Sequence, residues 1–121
     1  MTALHSTVGT LIIVGYIVVL ALNVRMATGR PMLSWQRPVS FGAATLVLAQ
    51  VMLGFSLLGE GRDIPPLHFI IALLAIIPIG AEHALGSKEP VPRKAGRIGA
   101  IANVVTLAIV LAAYIIGETH S

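Results

Sequence analysis

The chain has 121 residues, of which 56% are hydrophobic and only 11% are charged, whereas soluble domains carry about 25% charged residues. This shortage of charge excludes an ordinary soluble domain and indicates a protein that lies in a lipid bilayer. Cysteine is absent, which excludes disulfides, iron–sulfur clusters and thiolate metal sites.

Four apolar segments predict four membrane-spanning helices, since a span needs about 20 mostly apolar residues. A helix satisfies its own backbone hydrogen bonds in lipid, so the expected fold class is an all-α, polytopic membrane four-helix bundle. We expect a single transmembrane domain that covers residues 1–121. The predicted helices cover about residues 3–24, 39–58, 66–85 and 98–117.

The first segment carries a histidine near its start, His5, and leads to a basic residue, Arg25. No basic residue precedes the segment, which favours a retained helix over a cleaved signal peptide. Gly9 follows His5 by one helical turn. We expect this glycine to leave room for the edge of a flat cofactor beside the histidine.

The second segment contains Gln50, the most polar residue well inside a predicted span. A buried amide usually joins helices in a membrane, and Gln50 is also a candidate contact for a cofactor or a quinone. The connection after this segment contains Arg62, the only cation in the sequence on that side of the bundle. We expect Arg62 to meet the acidic groups of a cofactor there.

The third segment begins near Pro66 and carries His68, which follows His5 by 63 residues. Ala72 lies one helical turn after His68 and is the counterpart of the small residue that follows the first histidine. The matched spacing predicts two related hairpins whose histidines lie at one depth.

The far end of the third segment and the fourth segment contain further polar residues. Pro78 is expected to kink the third helix or to free a carbonyl, because proline has no N–H group. Glu82 and His83 end this helix, and we expect them at the membrane interface. Asn103 and Thr106 are the polar residues of the fourth segment.

The cations predict the orientation of the bundle. Seven of the eight lie in the connections between the first and second and between the third and fourth segments. By the positive-inside rule these connections face the cytoplasm and both termini lie on the non-cytoplasmic side, so the bundle consists of two helical hairpins. The net charge of +3 then reflects contact with anionic lipid, and no nucleic-acid partner is expected. The predicted location is a bacterial or archaeal cell membrane.

Histidines at matching positions of two hairpins are typical of a heme iron held inside a membrane. An iron porphyrin takes axial imidazole ligands, so His5 and His68 are predicted to bind one heme b near the outer surface. His83 and His120 are weaker candidate metal ligands. In the alternative, the histidines lie among lipid headgroups without a cofactor, or a single histidine binds a chlorophyll-type pigment.

Three short motifs follow one another between residues 4 and 75: His5-Ser6-Thr7-Val8-Gly9, Gln50-Val51-Met52-Leu53-Gly54 and Leu67-His68-Phe69. This layout resembles one four-helix half of the heme A synthase family and, more loosely, the cytochrome b561-like four-helix bundles. The resemblance implies that His5 and His68 ligate a single b-type heme near the outer face. The outer connection, residues 59–66, is too short for the family's catalytic loop, so heme A synthesis is not expected.

The favoured function is an electron-transfer cytochrome or the heme-carrying subunit of a respiratory or photosynthetic complex, without a bond-making step of its own. Expected partners are the lipid bilayer, a quinone, other membrane subunits or a second copy of the chain. The alternatives are a cofactor-free structural subunit and a chlorophyll-binding subunit. A transporter is disfavoured, because no acidic or basic residue lies near the middle of a predicted span.

Overall fold

The structure is a computed structural model that describes residues 2–59, 61, 66–86 and 88–119. These residues are helical apart from short connections and contain no strand. A π-helical turn follows α4 directly. The elements are α1 (Thr2–Ala27), α2 (Gln36–Gly59), α3 (Pro66–Leu74), α4 (Ile76–Ala81), the π turn (Glu82–Gly86) and α5 (Pro92–Thr119).

Within the described residues, four segments are long and apolar enough to cross a membrane. They are α1, α2, the third span formed by α3, α4 and the π turn, and α5. The predicted all-α fold with four apolar spans is therefore confirmed.

α1 ends in a turn that depends on glycine. Gly29 has a φ of +100°, a backbone conformation that favours glycine. The N–H of Gly29 donates to the carbonyl of Met26 at 2.9 Å. The N–H of Arg30 donates to the carbonyl of Arg25 at 3.3 Å. These paired bonds form a Schellman ending, which satisfies the last carbonyls of α1.

α5 begins earlier than the sequence predicts, at Pro92 instead of about residue 98. Proline suits the first turn of a helix, where its missing N–H has no intrahelical partner in any case. Arginine and lysine are good helix formers, so the following basic residues continue the helix. Arg93, Lys94 and Arg97 therefore lie on the first two turns of α5 and not in a loop.

The third span is broken after α3. Pro78 has no N–H to donate to the carbonyl of Leu74, four residues earlier, and its ring crowds that carbonyl. The helix accordingly ends at Leu74, and the N–H of Ala75 donates instead to the carbonyl of Ala72 at 3.2 Å. The interruption expected from Pro78 is therefore present, one turn before the proline itself.

α5 is the most extensively packed helix and lies against α1, α3, α4 and the π turn, whereas α1 lies against both α2 and α5. α3 packs against α5 and touches α2 only lightly, so α1 and α3 lie on opposite sides of the bundle. The apolar core surrounds Ile12, Tyr16 and Val47. Many other large apolar side chains are exposed on the outer faces of the helices, as expected of a surface that faces lipid. Polar side chains gather in two clusters, one at each end of the bundle.

Candidate functional site

The two predicted histidines meet at one end of the bundle. His5 lies in the first turns of α1 and His68 in the first turn of α3, and their ring centroids are 6.0 Å apart. The ring planes are inclined at 67°, which is an edge-to-face arrangement. The structure therefore brings the pair together from opposite sides of the bundle, and ligation of a metal by the pair stays a prediction.

His68 is oriented by α5. Its Nδ1 lies 2.7 Å from the backbone carbonyl oxygen of Ala113, so Nδ1 carries the proton and donates it. In a neutral imidazole this leaves the lone pair on Nε2. A Cβ atom at Gly117 would lie 3.0 Å from Cε1 of His68, so the ring fits at this position of α5 because the residue there is glycine.

His5 has a matching neighbour on α2. A Cβ atom at Gly54 would lie 3.7 Å from Cε1 of His5. Gly54 follows His5 by 49 residues, and Gly117 follows His68 by the same 49. Each histidine ring thus lies beside a glycine at the same interval in its own half of the chain, which is the relation that an internal repeat produces.

Gln50 reaches from α2 to α1 beside His5. Its Nε2 donates to the backbone carbonyl oxygen of His5 at 2.6 Å, so this amide joins two helices. A Cβ atom at Gly9 would lie 3.3 Å from both Nε2 of Gln50 and Cδ2 of Tyr114. The space beside Gly9, where the sequence suggests room for the edge of a porphyrin, is therefore filled by two side chains.

The remaining candidate residues are spread over the bundle. Ala72 is half-buried on α3, and Arg62 and His120 lie outside the described residues. His83 lies at the opposite end, where its ring stacks on Phe41 with centroids 4.6 Å apart and planes inclined at 23°. In the part of the chain that the structure describes, no group of three or more histidine, cysteine, aspartate or glutamate side chains is placed to hold a metal ion.

A second polar cluster, absent from the sequence-based predictions, lies at the end opposite the histidine pair. Glu82, at the start of the π turn, is only 7% exposed. Its Oε2 accepts hydrogen bonds from Oγ of Ser40 at 3.0 Å and from Nδ2 of Asn23 at 3.3 Å. Its Oε1 accepts one from Nδ2 of Asn103 at 2.9 Å. Donors on α1, α2 and α5 thus converge on one carboxylate.

The cluster continues through Asn23 to Gln36. Nδ2 of Asn23 also donates to Oδ1 of Asn103 at 2.6 Å, and Nε2 of Gln36 donates to Oδ1 of Asn23 at 3.3 Å. Gln36 is 4% exposed, and its Oε1 is buried without a hydrogen-bond partner. A cavity of about 40 Å³ borders these side chains, which is room for a few water molecules at most.

The burial of Glu82 adds to the expectation drawn from the sequence. Its position at the membrane interface stays a prediction, while its side chain is buried inside the bundle, near the end of the span Pro66–Gly86. A signal was available in the sequence. Asn23, Ser40 and Asn103 are polar residues of three other spans, each within about two helical turns of a basic connection.

Comparison with models of known protein families, with curated proteins and with solved structures returns no match. The length and composition of its helices define the chain as a multi-pass, α-helical membrane protein. The resemblance to the heme A synthase family stays a prediction.

Proposed function

We propose that this chain is a membrane b-type cytochrome, or the heme-carrying subunit of a respiratory or photosynthetic complex. The observation that carries the proposal is the 6.0 Å separation between the ring centroids of His5 and His68. The two residues are 63 positions apart and belong to different spans, so no local contact accounts for their meeting.

The separation matches two imidazoles on opposite sides of one metal ion. A bond between zinc and an imidazole nitrogen is about 2.0 to 2.1 Å long, and the ring centre lies roughly 1 Å beyond the nitrogen. Two rings bound to opposite sides of an ion of this size therefore have centres roughly 6 Å apart. Heme iron takes axial imidazole ligands, so His5 and His68 are the residues that would hold it.

His68 also makes the hydrogen bond expected of a metal ligand. A metal-binding histidine almost always donates its other N–H to a carbonyl or a carboxylate, which orients the ring and raises its basicity. The carbonyl of Ala113 accepts this bond from Nδ1, and Nε2 is then the nitrogen that would bind iron. Gln50 holds the first turns of α1 through the carbonyl of His5, which positions the second ligand.

Bound heme would supply one-electron redox chemistry, while the side chains of this protein hold it and keep water away from it. The charge distribution supports one orientation of the bundle in the membrane. The basic connections lie at the Glu82 end, so the positive-inside rule assigns both termini, the connection between α2 and α3 and the histidine pair to the non-cytoplasmic side. Electrons would then pass from a quinol or a partner subunit to an acceptor at the outer face of a bacterial or archaeal cell membrane.

The visible spectrum of the purified protein tests the proposal. Heme iron with two imidazole ligands gives sharp α and β bands on reduction, whereas a chlorophyll-type pigment absorbs far to the red. We expect the heme bands in the wild-type protein and their loss in His5→Ala and His68→Ala. His83→Ala is the matched control and should keep the bands, because His83 lies at the other end of the bundle against Phe41.

A milder variant disturbs the pair without removing a ligand. Gly117→Ala places a Cβ atom 3.0 Å from Cε1 of His68, so it should displace the ring and lower heme retention. Gly59→Ala is its control, because a Cβ atom there meets nothing within 4 Å. Full heme retention by His68→Ala, or a wild-type protein that takes up no heme when heme is supplied, would overturn the proposal.

Two observations favour a second candidate, a cofactor-free structural subunit. Aromatic rings packed edge to face also have centroids about 4.5 to 7 Å apart, and the space beside Gly9 is filled by Gln50 and Tyr114. In that case the histidine pair only fastens α1 to α3, the protein is colourless, and His68→Phe leaves it folded.

A further inference from the structure

The polar cluster around Glu82 takes no part in the proposed cytochrome function, because it lies at the opposite end of the bundle from the histidine pair. We propose that Glu82 is a proton-binding site that exchanges its proton with the aqueous side at the basic connections. Three features carry this proposal. They are the burial of the carboxylate, a hydrogen-bond arrangement that serves both of its protonation states, and a cavity beside the carboxylate whose wall includes the exposed residue Met32.

Glu82 is buried without a balancing cation. It is 7% exposed within the span Pro66–Gly86, and it forms no ion pair with any described residue. Its hydrogen-bond donors are all neutral, and they are Ser40, Asn23 and Asn103. Ionisable residues inside membrane spans commonly mark proton or ion pathways.

Ser40 allows Glu82 to hold or release a proton without a helix movement. Its Oγ lies 3.0 Å from Oε2 of Glu82 and donates to the ionised carboxylate. A hydroxyl oxygen can also accept, so a protonated Oε2 can donate to Ser40 instead. The hydroxyl of Ser40 then turns to the backbone carbonyl of Gln36, four residues earlier on the same helix, a bond that serines in helices often form.

The cavity beside Glu82 provides the route for the proton. Its walls include Gln36 and Met32, and Met32 is 39% exposed in the connection between α1 and α2. The buried Oε1 of Gln36 needs a hydrogen-bond donor, which water entering from this connection can supply. The proton passes from water in the cavity to Oε2 of Glu82 and returns the same way.

The other titratable groups around Glu82 come from three elements. Tyr16 of α1 is fully buried, and its hydroxyl has no hydrogen-bond partner. Arg37 of α2 and His83 of the π turn line the cavity, whereas the part of α5 that lines it carries no titratable residue.

Infrared spectroscopy of the full-length protein in lipid bilayers tests this proposal through the C=O stretch of a protonated carboxylic acid. We expect the wild-type protein to show an acid band that grows as the pH falls, disappears as it rises and shifts in D2O. Glu82→Gln should lose this band. Glu89→Gln is the matched control and should keep it, because Glu89 lies outside the span with its Oε2 3.9 Å from Nζ of Lys94.

Ser40→Ala keeps the carboxyl group but removes its hydroxyl partner, so it should shift the frequency of the acid band without abolishing it. This variant reports on the site even where Glu82→Gln fails to fold. The proposal is overturned if a folded Glu82→Gln variant keeps the whole pH-dependent acid band of the wild-type protein, or if Ser40→Ala leaves the frequency of that band unchanged. It is equally overturned if replacing K⁺ by Na⁺ at constant pH abolishes the band, since the site would then hold a metal ion.

Discussion

At the scale of single residues, Asn103 illustrates how a polar side chain organises a bundle in lipid. It is 0% exposed, its Oδ1 accepts from Asn23 at 2.6 Å, and its Nδ2 donates to Oε1 of Glu82 at 2.9 Å. The side chain therefore connects α5 to both α1 and the π turn. Thr106 is equally buried, yet its hydroxyl donates only to the carbonyl of Ala102 in its own helix, at 2.8 Å.

Asn103→Leu should therefore destabilise the protein more than Thr106→Val does. Leucine has a similar volume but leaves Oε1 of Glu82 without its partner, and an unpaired buried polar group costs about 1 to 3 kcal/mol. Thr106→Val removes a bond to a carbonyl that keeps its helical N–H partner, so it should cost less than about 1 kcal/mol. Unfolding of both variants in mixed detergent measures the difference, and equal losses would contradict the bridging role of Asn103.

At the scale of helices, α1 and α5 approach closely because α5 carries glycine where the two meet. A Cβ atom at Gly96 would lie 2.5 Å from the backbone nitrogen of Ala27, and one at Gly99 would lie 2.6 Å from Cγ of Asn23. In lipid, close packing of small residues and hydrogen bonds between helices replace the hydrophobic effect as the force of association. The same approach brings Asn23 within reach of Asn103.

Gly99→Ala should push α5 away from α1. We expect a loss of about 1 to 3 kcal/mol in the free energy of unfolding, as in other overpacked interiors. Gly42→Ala is the matched control, because Gly42 is exposed on α2 and a Cβ atom there meets nothing within 4 Å. It should be neutral or stabilise the helix by about 0.5 to 1 kcal/mol. Detergent unfolding compares the two, and equal stability would mean that the helices do not approach as closely as described.

Some features of the helices can be predicted from the sequence and others cannot. The four spans are predictable because membrane thickness requires long apolar segments, and the break after Leu74 follows from the missing N–H of Pro78. The burial of Glu82 is not predictable in this way, because the π turn that directs it depends on packing against α5. The early start of α5 cannot be predicted from the sequence either, because Pro92 and the basic residues after it suit a loop as well as a first helical turn.

At the scale of the whole molecule, the two polar clusters occupy opposite ends. His68 and Glu82 are 14 residues apart in the third span, roughly 21 Å at the helical rise. The meeting of His5 with His68 could be anticipated, because equal spacing in two spans is visible in the sequence. The Glu82 cluster leaves a weaker signal, polar residues of several spans near the basic connections, and which of these residues meet is visible only when the helices are assembled.

The distribution of charge over the molecule predicts which cluster faces the cytoplasm. Seven of the eight cations lie at the Glu82 end, and basic connections are retained on the cytoplasmic side. The chain has no cysteine, so a single introduced cysteine reports on one position alone. Ser34→Cys places a thiol in the exposed connection between α1 and α2, and Ser121→Cys places one at the carboxyl terminus.

On intact cells, a membrane-impermeant maleimide should label Ser121→Cys and leave Ser34→Cys unlabelled, whereas permeabilised cells should show both labelled. The reverse pattern would place the histidine pair at the cytoplasmic face and remove the outer acceptor from the proposed electron path. It would also open the cavity beside Glu82 to the outside, so that its proton would come from there. Because the two clusters lie at opposite ends of one bundle, a single labelling experiment assigns the side of the membrane to both.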